Sequence, residues 1–388
     1  MFKIPQKIEY CLNVLNENGY EAYIVGGCVR DMLLGNTPHD FDITTSAKPE
    51  NIEQIFKKTV PTGIKHGTVT VIIDNTPIEI TTFRTEGSYT DYRRPDNITF
   101  VSSLSEDLSR RDFTVNAFAY NQKVGLVDLF NGKADLQNKI LRAVGQPYQR
   151  FNEDALRIMR LFRFACVLGF RIEENTLKDA IKASPLLKNI SSERISSELL
   201  KSFMGKNTEV FTPLIDSGAL TFLTIKENPD YKKFNQLNYN SKLAFFSFFY
   251  LSKSDVLTAL KVLKMPNTYK NYCKDCLKLL KTPLPQNKFE IKMILKCYDL
   301  DLIFDFLNFK SVVFSDDTTK IKETLNEIVK TQEPYKLSQL KINGKDLLDL
   351  KYKDKEIGDI LDKLLLFVMK NPQKNTKENL IKETEKLT

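Results

Sequence analysis

Apolar positions recur at helical intervals over residues 4–18, where Ile4, Ile8, Cys11, Leu12 and Leu15 share one side of a helix that Gly19 can end. The texture then changes. Residues 22–25 read as a strand that stops at Gly26-Gly27. A short helix carrying Val29, Leu33 and Leu34 follows and ends at Gly35. "DFDITT" reads as a strand, and "KPENIEQIF" as the start of a helix with Pro49 in its first turn. "GTVTVIID" and "IEITTFR" form strands about a turn at Asp74-Asn75-Thr76-Pro77, and "ITFVSS" adds a further strand. Between the last two lies a polar loop, residues 85–96, "TEGSYTDYRRPD". After Gly145 strand signals fade and long helical periods dominate, as in "EDALRIMRLFRFACVLGF" and "DKEIGDILDKLLLFVMK".

This order predicts an α+β N-terminal head around a small mixed sheet, followed by all-α helical modules. With 388 residues the chain exceeds one ordinary core. Breaks near Pro185, "GKNTEV", Pro266 and Pro283–Pro285 suggest a catalytic head at 1–140 and a helical neck at 141–205. A helical body would span 206–290 and a helical tail 291–388.

Composition narrows the function classes. Hydrophobic residues make up 42% of the chain, enough for buried cores, and the greasiest stretch, "KLAFFSFFYLSKS", is too short to span a bilayer. The first residues lack the pattern of a secretory leader, so the cytoplasm is the expected location. Lys and Arg outnumber Asp and Glu by 57 to 49, a net charge of +8 that allows a polyanionic partner without requiring one. Cys273 and Cys276 form one CxxC with no second pair, and only two histidines exist, which argues against zinc. For the same reason His39 before Asp40 does not make a metallohydrolase, and His66 is expected to be structural.

The chemistry concentrates in residues 24–43, "IVGGCVRDMLLGNTPHDFDI". On a strand, Asp40 and Asp42 would face one way and Phe41 the other. Two adjacent carboxylates repel unless protonated or neutralised by a cation. A pair of Mg²⁺ ions is the usual solution in phosphoryl and nucleotidyl transfer, so Asp40 and Asp42 are the expected metal ligands. Gly26-Gly27 would offer backbone N–H groups to phosphate, and Arg30 a fork for its oxygens. Glu79, on the strand "IEITTF" with Thr81 on its face, is a candidate third catalytic carboxylate.

In order and spacing, GG-x-VRD-x-LLG-x4-D-x-D resembles the nucleotidyltransferase superfamily. Within it the resemblance is to class II tRNA nucleotidyltransferases (CCA-adding enzymes) and bacterial poly(A) polymerases. "LSRRDFTVNAFAY", "DLFNGKADL" and "RFNEDALRIMRLFRFA" continue the resemblance, which is strong over residues 20–200. It implies template-independent addition of C, C and A to the 3′ end of tRNA from CTP and ATP, with Mg²⁺ and pyrophosphate release. The helical half would then grip the acceptor and TΨC arm of the tRNA. It also implies that Arg111 contacts the triphosphate, Asp112 the ribose hydroxyl, and Arg160 and Arg163 the incoming nucleotide, with Asn116 bracing their loop. A full-length loop at 85–96 favours complete CCA addition over CC-only addition. A poly(A) polymerase and a partial A-adding or CC-adding enzyme remain the alternatives.

One segment carries its own argument. If Asp154 and Arg157 lie three residues apart on one helix, their side chains can stand side by side. Asp accepts and Arg donates hydrogen bonds. Cytosine and adenine both present an amino donor and a ring-nitrogen acceptor in the matching order, and guanine and uracil present the reverse. Such a pair would select C and A without a nucleic-acid template.

Overall fold

The computed structural model describes residues 2–38, 40–87 and 97–387. Packing divides the chain into two compact units, Met1–Tyr231 with Phe248–Met265, and Lys232–Ser247 with Pro266–Thr388. The boundaries expected near 140, 205 and 290 each lie inside one of these units.

The first unit opens with helix α1 (Gln6–Glu17), which buries Ile8, Cys11, Leu12 and Leu15, the face its spacing predicts. Strand β1 (Ala22–Val25) is buried throughout, and helix α2 (Gly27–Leu33) starts directly after Gly26. Then come β2 (Asp42–Thr45), α3 (Pro49–Ile55), β3 (Thr59–Gly63), β4 (Thr68–Ile73) and β5 (Thr76–Thr82). Asp74 and Asn75 both take positive φ, 45° and 61°, the geometry of a tight two-residue hairpin turn between β4 and β5.

β6 (Arg84–Glu86) and β7 (Ile98–Phe100) pair with each other as a separate ribbon, so "IEITTFR" is not one strand but two, parted at Phe83. After α4 (Leu104–Ser109), β8 (Phe118–Asn121) and β9 (Gly125–Asp128) complete a sheet of order β3-β4-β5-β2-β1-β8-β9. All neighbours in it are antiparallel except β2 and β5. Neither β8 nor β9 was expected. "FAYN" is buried at all four positions, so it shows no alternation to read.

Beyond the sheet, α5 (Gly132–Gln137), α6 (Pro147–Glu153), α7 (Leu156–Leu168), α8 (Glu174–Ala183) and α9 (Ser192–Phe203) turn the unit helical. α7 buries nine of its residues, from Leu156 to Cys166, and packs against α9.

The second unit is helical among its described residues, with two apolar clusters. One gathers Ile291, Leu295, Ile303, Leu307, Leu325 and Ile328. The other is built on Leu347, Ile360, Leu364, Leu365, Val368 and Leu380. Lys292 is enclosed there, 1% exposed, with Nζ 2.8 Å from the Met369 carbonyl it donates to and 2.6 Å from Glu333 Oε2. No single helix among the described residues is long and apolar enough to cross a membrane.

Candidate functional site

Antiparallel pairing of β1 with β2 sets Val25 opposite Asp42. The chain leaves β1 at Gly26, whose φ of +78° is costly for any residue with a Cβ, and whose N–H donates to the Phe118 carbonyl at 3.1 Å. A Cβ at Gly26 would stand 2.9 Å from Arg111 Nη1. The glycine turn, Asp42 and Arg111 therefore meet at one end of the sheet. At Gly27, added atoms would face the guanidinium of Arg30 instead.

The two aspartates are not both strand residues. β2 begins at Asp42, and Asp40 lies ahead of it. Residues two apart face one way only within a strand, which here starts at Asp42, and Phe41 is only half-buried. The charges nevertheless interact. Crowding by neighbouring atoms raises the Asp42 carboxyl above the usual range, Arg111 opposes the rise, and the Asp40 charge adds to it. Asp42 is open to solvent by surface area, so its crowding reflects a concave position rather than enclosure. Glu79 is exposed on β5, one residue before the Ile43–Ile80 pair that joins β2 to β5, and so level with Asp42. Among the described residues no three acidic, histidine or cysteine side chains converge as a ligand set.

Around this point guanidinium groups are bound to carboxylates in a chain. Asp107 is fully buried and accepts from Arg110 Nε and Nη2 at 3.0 and 2.7 Å and from Thr44 Oγ1 at 3.3 Å, with Arg111 at 3.6 Å. Burial would raise its carboxyl, but Arg110 and Arg111 hold it below the usual range. Arg111 Nε is buried with no hydrogen-bond partner among the described residues.

Asp112 Oδ2 receives Arg160 Nε and Nη2 at 2.8 and 2.7 Å, and Oδ1 receives Asn116 Nδ2 at 3.1 Å. Against the effect of burial, these contacts depress its carboxyl. Asn116 in turn accepts from Arg30 Nη1 at 2.6 Å, while Arg30 Nε and Nη2 bond Asp31. Arg30 is thus buried and committed on two sides. Arg163 pairs with Glu198 of α9.

Asp154 and Arg157 do not sit side by side on one helix. Asp154 is extended (φ −134°, ψ 102°) and separates α6 from α7. Its Oδ1 accepts the Leu156 N–H at 3.0 Å, a local turn that competes with continuing the helix. Its carboxylate is held by Arg194 of α9 at 2.8 Å. Arg157 bonds Glu153 Oε2 at 2.7 Å and the Arg110 carbonyl at 2.9 Å, and lies 3.7 Å from Glu86. Each expected base reader has its own partners.

Of the loop at 85–96, Glu86 is in β6 and receives Arg110 at 3.1 Å, and residues 88–96 lie outside the described residues, as does His39. His66 is in a short turn whose carbonyl accepts from Arg84. Asp107, Glu86, Arg110, Arg194 and Glu198 complete this network and were not among the residues expected from the sequence. Asp107 and Arg110 had a local signal, their spacing of three residues, with Arg111 four residues after Asp107.

The chain matches the family model for the Poly A polymerase head domain over residues 22–142. Residues 169–229 match a model for an RNA- and SrmB-binding site of polymerase A, and 238–384 a tRNA nucleotidyltransferase domain 2 model. It is 39% identical over 406 residues to a CCA-adding enzyme of Ligilactobacillus salivarius, covering 99% of this chain and 98% of that one. A CCA-adding enzyme of Enterococcus faecalis is 37% identical over 384 residues, covering 96% and 93%. The crystal structure of the Bacillus stearothermophilus CCA-adding enzyme in complex with CTP superposes with a TM-score of 0.82, at 30% identity, over 98% of both chains.

Proposed function

The chain belongs to the CCA-adding enzyme family, and from that premise we propose that it adds C, C and A to the 3′ end of tRNA from CTP and ATP, without a template. The RNA 3′-hydroxyl oxygen bonds to the α-phosphorus of the nucleotide as pyrophosphate leaves. The reading is carried by one observation. Arg111 stands over Gly26, where an added Cβ would lie 2.9 Å from its Nη1, while its charge is felt by Asp42. A cationic fork, an open backbone turn and a carboxylate that crowding and the Asp40 charge leave in need of positive charge thus face one space.

Enzymes of this family use a divalent metal ion. The donors here fit one: Asp40 and Asp42 are hard oxygen ligands whose charges repel, with Glu79 level beside them. Mg²⁺ is the ion we assign, held by Asp40 and Asp42. When bound, it supplies charge neutralisation for the attacking oxygen and the leaving pyrophosphate. Gly26 and Gly27 leave room for phosphate to approach, Arg111 pairs with the triphosphate, and Asp112, oriented by Asn116 and Arg160, accepts from the ribose hydroxyl. Arg30 holds Asn116 in place, and Arg160 and Arg163 line the nucleotide's path.

Asp154 and Arg157 read the base. For that, Asp154 must leave Arg194 and Arg157 must loosen from Glu153, so the reading pair forms only when a base competes for both. The head at 1–140 would act as catalyst, 141–205 as base-recognising neck, and the remaining helices would hold the acceptor and TΨC arm through phosphates and shape. A tRNA-processing enzyme of this kind works in the cytoplasm.

The match to the Poly A polymerase head favours a second reading, a poly(A) polymerase. Purified protein given tRNA ending at the discriminator base and each labelled NTP separates the two. Incorporation of two C and then one A, followed by arrest, supports CCA addition. Long A tails support the polymerase. A added only to tRNA already ending in CC, or arrest after CC, marks a partial enzyme.

A further inference from the structure

One ring touches Arg160 and Arg163, which line the nucleotide's path, and Arg30, which braces Asn116 beside it. The guanidinium carbon of Arg163 lies 3.8 Å from the centroid of Phe164, with those of Arg30 and Arg160 at 5.2 and 5.3 Å. All are within the range of cation–π attraction. We propose that Phe164 is a positioning residue, a shared aromatic platform that holds Arg30, Arg160 and Arg163 together for the triphosphate and ribose of the incoming nucleotide. The proposal rests on the reading that Arg160 and Arg163 hold that nucleotide and that Arg30 acts on its ribose site through Asn116 and Asp112.

The arrangement is difficult to account for by packing alone. Each arginine has one carboxylate beside it, Asp31, Asp112 or Glu198, and these partners come from different elements. The three cations are nevertheless drawn to one place. They repel: the charge of Arg160, after burial, is a force that depresses the Arg163 guanidinium. An aliphatic side chain could fill the space of Phe164 but would offer no negative face. The ring is 7% exposed and fixed edge-on by Phe113, centroids 5.9 Å apart and planes at 80°. Phe113 follows Asp112, the ribose carboxylate, so ring and carboxylate are set by adjacent residues. Phe164 itself follows Arg163 and lies one helical turn after Arg160. The role concerns nucleotide affinity and leaves base choice alone, because Arg157 is not among the described cations over the ring.

The test uses the full chain with 4-fluoro-, 3,5-difluoro- and 3,4,5-trifluorophenylalanine placed at position 164. Fluorine drains the ring face while changing its size little. KM and kcat for CTP and ATP are measured on tRNA lacking its terminal CCA, beside the Tm. KM for both nucleotides rises stepwise with fluorine number, about tenfold over the series, while kcat, base discrimination and Tm stay nearly constant. A flat KM across the series overturns the proposal, even if Phe164→Leu fails to fold. Arg160→Ala and Arg163→Ala separate the two levels of the argument. If they raise KM while the fluorinated series is flat, the platform alone is wrong. If neither changes KM, the underlying reading falls and takes the platform with it.

Discussion

Lys292 and Arg111 both bury positive charge, and their surroundings differ in kind. Lys292, in the second unit, is enclosed by a carbonyl and by Glu333, which Lys288 also pairs with. The contact with Glu333 is an ion pair by distance though not aligned as a hydrogen bond. Around Arg111, in the first unit, a buried Nε is left without a partner among the described residues. Asp42 nearby has its carboxyl raised by crowding, and Arg163 has its guanidinium depressed by burial. In the first arrangement the charges are compensated by close ion pairs to Lys288 and Lys292, although Glu333 Oε2, like Arg111 Nε, has no aligned hydrogen-bond partner among the described residues. The second stores cost that an anionic ligand and a cation can relieve. Buried charge therefore marks function where its electrostatics are left open, rather than wherever it is found.

Four outcomes would sharpen or break this contrast. The largest is expected from Asp42→Ala, which should cut CTP incorporation by about 10³-fold or more while tRNA binding and Tm hold; retained turnover removes the metal role. Lys292→Met should do the opposite. Leaving Glu333 without its enclosed partner lowers unfolding free energy by about 3 kcal/mol, and KM for CTP is unchanged in the folded fraction. A change in KM with normal stability would erase the distinction between the two regions.

Arg157→Ala comes next: incorporation of UTP and GTP relative to CTP rises about tenfold, read by single-nucleotide extension. Unaltered selectivity at normal turnover excludes it as a base reader. The smallest effect concerns pH. The Asp112 carboxyl is depressed in the folded chain, so its contribution to stability is present above the unfolded carboxylate pKa and is lost as pH falls through the folded value. Asp112→Asn should flatten the fall of Tm below about pH 4, and an unchanged slope would show that Asp112 is not held as an ion.

Much of this was legible along the chain. The face of α1, the strand ending at Gly26 and a hairpin turn after Ile73 follow from local pattern and turn chemistry, although the turn is only Asp74-Asn75 and Thr76-Pro77 already pair in β5. What escaped did so for physical reasons. Asp154 sits in a run whose apolar spacing is helical on both sides, so the break shows only in the folded chain, as an extended Asp154 whose Oδ1 accepts the Leu156 N–H. Arg194 and Glu198 meet Asp154 and Arg163 across about ten helical turns of sequence, where no spacing rule reaches. Phe164 looks like any core aromatic until Arg30 arrives from another element.

The chain enters the second unit at Lys232, returns to the first at Phe248 and departs again at Pro266. Cutting after Tyr231 would therefore yield an incomplete catalyst, lacking the stretch Phe248–Met265. During synthesis, too, the ribosome must deliver part of the later body before the earlier one has its last piece. Anyone dissecting this enzyme into halves should keep residues 1–265 on one polypeptide.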